Sequence, residues 1–124
     1  MGLTNTGRDF IAKSIINEGG VVFFDGLHTY VGVGDSSTAF SATDTDLLGT
    51  NKTKNIVDQA PVRTNNQIEF TATFEDAEAQ HAWSEWGIFN AETGGEMLNR
   101  KVEDLGTKTG GVWVLTVTLS INIG

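Results

Sequence analysis

Two stretches of this chain alternate apolar and polar residues with a period of two, and they decide its fold class. In Ile68-Glu69-Phe70-Thr71-Ala72-Thr73-Phe74 the even positions are apolar. In Trp113 to Ile123 the odd positions are Trp, Leu, Val, Leu, Ile and Ile, and the even positions from Thr116 are Thr, Thr, Ser and Asn. Successive side chains point to opposite faces of a strand, so each stretch predicts a strand with one face in a core and the other toward water or a partner. One-sided strands of this kind belong to antiparallel sheets. Trp83 to Phe89 and Met97 to Val102 predict two more strands, joined as a hairpin through Asn90-Ala91-Glu92-Thr93-Gly94-Gly95. His28 to Val33 predicts another, with Thr29, Val31 and Val33 on one face and Tyr30 on the other.

Helical spacing occurs near the start. Thr6 is placed to cap a helix, Asp9 follows three residues later, and Ile11, Ala12, Ile15 and Ile16 form an apolar stripe. Asn17-Glu18-Gly19-Gly20 ends it, and Val21-Val22-Phe23-Phe24 follows as a short apolar run before the Asp25-Gly26 turn. Gly34 to Thr50 is rich in Ser, Thr, Asp and Gly and predicts a long loop with one helical turn at Thr43–Leu48. Asn51 to Asn66 holds the only proline, Pro61, and predicts a partial strand at a sheet edge, where proline does least harm. With 124 residues, no repeat and no linker, the chain reads as one domain, an arm and helix over 1–20 and a β domain over 21–124. The expected class is mainly β (α+β), an antiparallel β-sandwich or small barrel with one N-terminal helix.

Charge and composition then narrow the function classes. The net charge is −8, with eight Lys and Arg scattered along the chain, so no basic face is available for nucleic acid or an anionic membrane. An acidic surface suits a basic patch on a protein partner. The absence of cysteine excludes disulfides, zinc–thiolate sites and thiol catalysis. No apolar run approaches the roughly 20 residues that span a bilayer. Met1-Gly2-Leu3-Thr4-Asn5 lacks the pattern of a secretion signal, so synthesis and retention in a cytoplasm are expected.

Several short motifs imitate chemistry. Gly32-Val33-Gly34-Asp35-Ser36-Ser37 has two glycines of a dinucleotide loop but serine where the third should stand. Gly34-Asp35-Ser36 is like the nucleophile block of some serine esterases, yet neither His28 nor His81 stands in the Asp-x-x-His setting that those esterases place near the C-terminus, Glu78-Ala79-Gln80-His81 being the nearest to it. The simpler reading is a strand ending in a turn, with Asp35 and Ser36 bonding the loop backbone. Asp44-Thr45-Asp46-Leu47-Leu48-Gly49 imitates the start of a calcium loop, but Leu48 and Asn55 stand where ligands are needed. A helix N-terminus explains those carboxylates as well. His81 and Glu85 lack a third metal ligand, and the Asn51-Lys52-Thr53 sequon is idle without secretion. Trp83, Trp86 and Phe89 form the densest aromatic cluster, read as core or interface anchors, with a sugar-stacking platform (Trp113 included) as the alternative. Glu85 and Glu92, with Arg100 and Lys101, read as surface pairs worth little individually. No catalytic residue, metal or cofactor is assigned, and the candidate partner contacts are Asp35, Ser36, Asp44, Asp46, Trp83 and Trp86.

The order of motifs resembles a known group. Leu3-Thr4-Asn5-Thr6-Gly7 and an apolar helix are followed by Tyr30-Val31-Gly32-Val33-Gly34-Asp35-Ser36-Ser37 and Ile68 to Phe74. Trp83-Ser84-Glu85-Trp86-Gly87-Ile88-Phe89-Asn90-Ala91 and Gly94-Gly95-Glu96-Met97-Leu98-Asn99-Arg100 come next. This order is similar to small tailed-bacteriophage virion proteins and to the particle-proximal N-terminal domain of phage tail fibres, with their "VGDG"-like strand end and "EIGIF"-like strand. No fibre shaft follows, so the resemblance implies a capsid decoration (cement) protein, or a small tail, neck, baseplate or fibre-attachment component. It also implies a non-enzymatic homo-oligomer, made in the host bacterial cytoplasm, that docks on a major capsid protein or tail proteins in the virion. Direct contact with nucleic acid or membrane is not expected.

Overall fold

The structure, a computed structural model, describes residues 2–122. Its elements in chain order are β1 (Gly2–Leu3), α1 (Asn5–Ile15), β2 (Tyr30–Gly34), β3 (Lys52–Ile56), β4 (Val62–Thr64), β5 (Gln67–Phe74), β6 (Ala82–Phe89), β7 (Met97–Thr107) and β8 (Trp113–Ser120). They form two antiparallel sheets, a five-stranded one in the order β1-β7-β6-β2-β3 and a three-stranded one in the order β4-β5-β8. The mainly β class with a single N-terminal helix is therefore as the alternation requires.

The core lies between the sheets. Val31 and Val33 from β2, Phe70, Ala72 and Phe74 from β5, Trp83, Trp86 and Ile88 from β6, and Val117 and Leu119 from β8 pack together there. Burying each large member contributes about 1.5–3 kcal/mol. The polar partners of the alternation fall outside, where the Thr71 and Thr116 hydroxyls bond across β5 and β8 at 3.1 Å. The five-stranded sheet is covered on its second face as well. Leu47, Phe89 and Met97 cluster there against Tyr30, and Gly32 and Gly34 alternate with the core valines. A methyl on Gly32 would lie 2.8 Å from the Phe89 ring and 3.0 Å from Leu47. Only glycine lets the covering loop lie this close to the strand.

Several expectations need correction. Thr4, not Thr6, caps α1, its side chain accepting from Gly7 N at 2.9 Å. Thr4 wins because its hydroxyl also donates to the Met97 carbonyl and its N–H bonds the Leu98 carbonyl at 3.1 Å, which ties the helix start to β7. The apolar stripe is covered only in part. Ile11 is half-buried, but Ile15 and Ile16 are 78% and 71% exposed, because α1 sits beside the sheet edge and turns Gly7 toward β7. Thr43–Leu48 is not helical, since its carboxylates bond side chains and loop amides instead. Residues 51–66 hold two strands, β3 and β4, each at the edge of its own sheet, with Pro61 just before β4. β7 runs to Thr107, beyond the expected Val102, and β8 ends at Ser120. Of the residues read above, Met1 and Ile123 lie outside the described ones.

Gly7 poses a test between two opposing effects. Alanine is preferred to glycine inside a helix by about 1 kcal/mol. A methyl at Gly7 would overlap the Leu98 carbonyl, which is backbone and has little room to move. Gly7→Ala is expected to destabilise the chain by about 1–3 kcal/mol in urea unfolding. A stabilised variant would mean that α1 does not rest on β7.

Candidate functional site

The loop of residues 35–51 crosses the outer face of the five-stranded sheet and returns. It leaves β2 at Gly34, reaches α1, where Asn5 N donates to the Ala42 carbonyl at 2.8 Å, and comes back to β3. An irregular segment of this length loses much conformational entropy when it is fixed. A buried charge cluster holds it in place.

Glu85 on β6 and Arg100 on β7 are both 0% exposed. In the β6–β7 register Arg100 stands opposite Gly87, and Glu85 opposite Val102. The bare backbone at Gly87 leaves a path for the Arg100 side chain to reach diagonally to Glu85. The guanidinium Nε donates to Glu85 Oε1 at 2.7 Å, Nη2 donates to the Thr38 carbonyl at 2.9 Å, and Nη1 lies 3.3 Å from Asp44 Oδ2. Glu85 also accepts three loop amides, from Leu48 at 3.0 Å, Gly49 at 2.7 Å and Ser36 at 3.3 Å. Gly34 and Gly49 are needed here, since a methyl on either would press on the Glu85 carboxylate. The pair is thus a clamp on both ends of the loop. The expectation that Glu85 and Arg100 make surface pairs is wrong, because the loop folds over them and removes them from water. Lys101 does stay at the surface, 3.3 Å from Glu103.

The four loop residues proposed as contacts are brought together on this platform. Asp35 accepts from Asn51 N and Asn51 Nδ2 at 3.1 and 2.9 Å, and these bonds hold its carboxyl below the usual aspartate range. Ser36 Oγ accepts from Thr38 N at 3.1 Å. Asp44 Oδ2, the oxygen that faces Arg100 Nη1, also accepts from Ser41 N at 3.0 Å. Asp46 lies 3.1 Å from Lys52 Nζ and 3.0 Å from Lys54 Nζ. Partial burial pushes its carboxyl up, but the two ammonium groups prevail and hold it low. The carboxylates of the calcium-like motif are thus engaged by the chain's own cations and amides.

Trp83 and Trp86 are elsewhere. They are 2% and 4% exposed in the core between the sheets and present no ring to a sugar or a partner. The three esterase candidates have separate hydrogen-bond partners. His28 bonds Asp25 at 2.7 Å, which lowers the aspartate pKa, while His81 bonds Thr53 and the Ala82 carbonyl. Among the described residues no three His, Asp or Glu side chains gather to hold a metal, and no helix is long and apolar enough to cross a membrane. Buried Lys108 is a second feature that sequence reasoning passed over. Its ammonium donates to the Glu75, Asp76 and Glu78 carbonyls at 2.7, 3.0 and 2.9 Å and so closes the turn before β6.

What the loop leaves to solvent is a polar surface from Ser37 to Ser41, with Phe40 and Leu48 as its exposed large apolar side chains. Such a surface can dock, with two apolar anchors in a polar rim. No protein-family model, curated protein or solved structure matches this chain.

Proposed function

We propose that this chain is a non-enzymatic structural protein of a tailed-phage virion, and that it works as a capsid decoration protein that docks on the particle and stabilises it by protein–protein contacts. The observation that carries the docking role is the clamp of Glu85 and Arg100 under residues 35–51. A loop fixed before binding loses less freedom on association, so a small surface can bind usefully. Contacts that are weak singly become strong when an array repeats them. The virion setting rests on the order of motifs from Leu3 to Arg100. Tyr30–Ser37 and Trp83–Ala91, which resemble the fibre attachment domain, favour a second reading as a tail, neck, baseplate or fibre-attachment part.

Densitometry of purified particles separates the two readings. Hundreds of copies per particle are expected for decoration, and six or twelve for a tail part. Absence of the chain from particles would overturn both. Replacing Phe40 and Leu48 with serine is expected to lower incorporation at least about tenfold, the loss expected from removing two central anchors. Phe40 is 36% exposed and its ring lies over Gly2, so the urea midpoint is expected to fall somewhat and incorporation is compared at equal folded fraction.

A further inference from the structure

We infer that the outer edge of β8 pairs with the same edge of a second copy of this chain, the two strands running antiparallel about a two-fold axis. The sheets end in strands of very different kinds. β3 closes the five-stranded sheet with Lys52 and Lys54, and β1 at its other end is two residues long. Beyond β1, the rest of β7 carries Lys101, Glu103 and Asp104. β4 closes the three-stranded sheet with three residues, Arg63 among them, directly after Pro61. Short length, charge and proline are the usual guards against edge-to-edge pairing. β8 has none of them. Its eight residues, Trp113 to Ser120, include no charge and no proline, and among the described residues β5 is its only neighbouring strand or helix.

A second copy of β8 suits this edge on three grounds. The strand is uncharged in a chain of net charge −8, so two copies meet where they repel least. Its alternation is self-complementary. Registers in which paired residue numbers sum to an even value keep Trp113, Leu115, Val117 and Leu119 of both copies on one side. A one-residue slip would mix the faces, so the pattern selects these registers. With the axis at Thr116, that residue faces Thr116 of the other copy and Thr118 faces Val114, which extends the hydroxyl contact that Thr71 and Thr116 already make across β5 and β8. The third ground is an apolar groove of 470 Å³ where β8 ends, lined by Phe10, Ile11, Ile15, Phe24, Leu119 and Ile121. With the axis at Thr116, exposed Val112 of one copy falls opposite Ser120 of the other, at the mouth of that groove.

The test uses the isolated full chain, so it is decided separately from any particle docking. Sedimentation across the micromolar range is expected to show a monomer–dimer equilibrium. Thr116→Lys sets two like charges at the axis and is expected to weaken the dimer about tenfold or more. Thr71→Lys, on the same face but one strand inward, should leave it intact. Because the chain has no cysteine, Thr116→Cys provides a sole thiol. Mild oxidation should cross-link Thr116→Cys into a covalent dimer and leave Thr71→Cys without a cross-link, a readout that does not depend on how Thr116→Lys folds. A chain that stays monomeric throughout, as it would if β8 awaited a strand from another protein, overturns the inference. So does a dimer that both cysteine variants cross-link equally.

Discussion

Arg100→Met is expected to destabilise the chain by about 3–5 kcal/mol, the cost of leaving a buried charge without its partner. Methionine keeps much of the arginine's bulk, so packing changes little. Glu85 would then stay fully buried with three loop amides and no cation. The escape is release of residues 35–51 to admit water. The outcome is read as a lower urea midpoint and faster proteolysis within that loop. Many buried ion pairs can be exchanged for apolar residues at no loss. This one differs, because Glu85 is also the acceptor for Ser36, Leu48 and Gly49, and each orphaned amide costs about 1–3 kcal/mol. Replacing both residues, as Glu85→Leu with Arg100→Met, should therefore not restore stability. A double variant as stable as the parent would mean that the loop is held by something other than this clamp.

The clamp shows what a sequence reading can and cannot reach. Strands β5 and β8 were legible because each has one wet face, and their alternation is a direct record of it. β6 was legible as a strand but not by face, since both of its sides are covered. Its apolar residues therefore run together, and Glu85 among them looks like an ordinary polar position. A signal was available. Gly32, Gly34 and Gly87 are small residues on the face that carries Glu85, and a charge on a strand with so many bulky apolar neighbours needs a buried partner. Naming Arg100 as that partner required the β6–β7 register, which the hairpin length alone does not fix. Asp35 was legible as a loop acceptor because turn residues have local signatures, whereas Asp46 stood out only by a calcium-like spacing and in fact pairs with Lys52 and Lys54. The apolar stripe on α1 misled because helical spacing reports a face without saying what covers it.

Trp83 is where the structure and the contact role expected from the sequence make opposite demands, so its truncation is informative. As a contact for a sugar or a partner, Trp83→Ala would weaken binding and leave the melting temperature nearly unchanged. As the structure has it, the indole lies edge-on to Phe74 and Trp113, with both ring centroids 4.9 Å away, and joins the two sheets. Its Nε1 donates to the Ala79 carbonyl at 3.0 Å, which holds a turn where Ala79 has a φ of 54°. Trp83→Ala is therefore expected to cost about 3–5 kcal/mol and to lower the melting temperature by more than about 10 °C. Trp83→Phe keeps most of the packing and loses the Ala79 bond, a smaller loss of about 1–2 kcal/mol. Alanine should be much worse than phenylalanine in thermal unfolding, with particle incorporation falling only as far as the folded fraction falls. Incorporation that drops while the melting temperature holds would move Trp83 from the core to the docking surface and with it the assignment of residues 35–51 as the contact face.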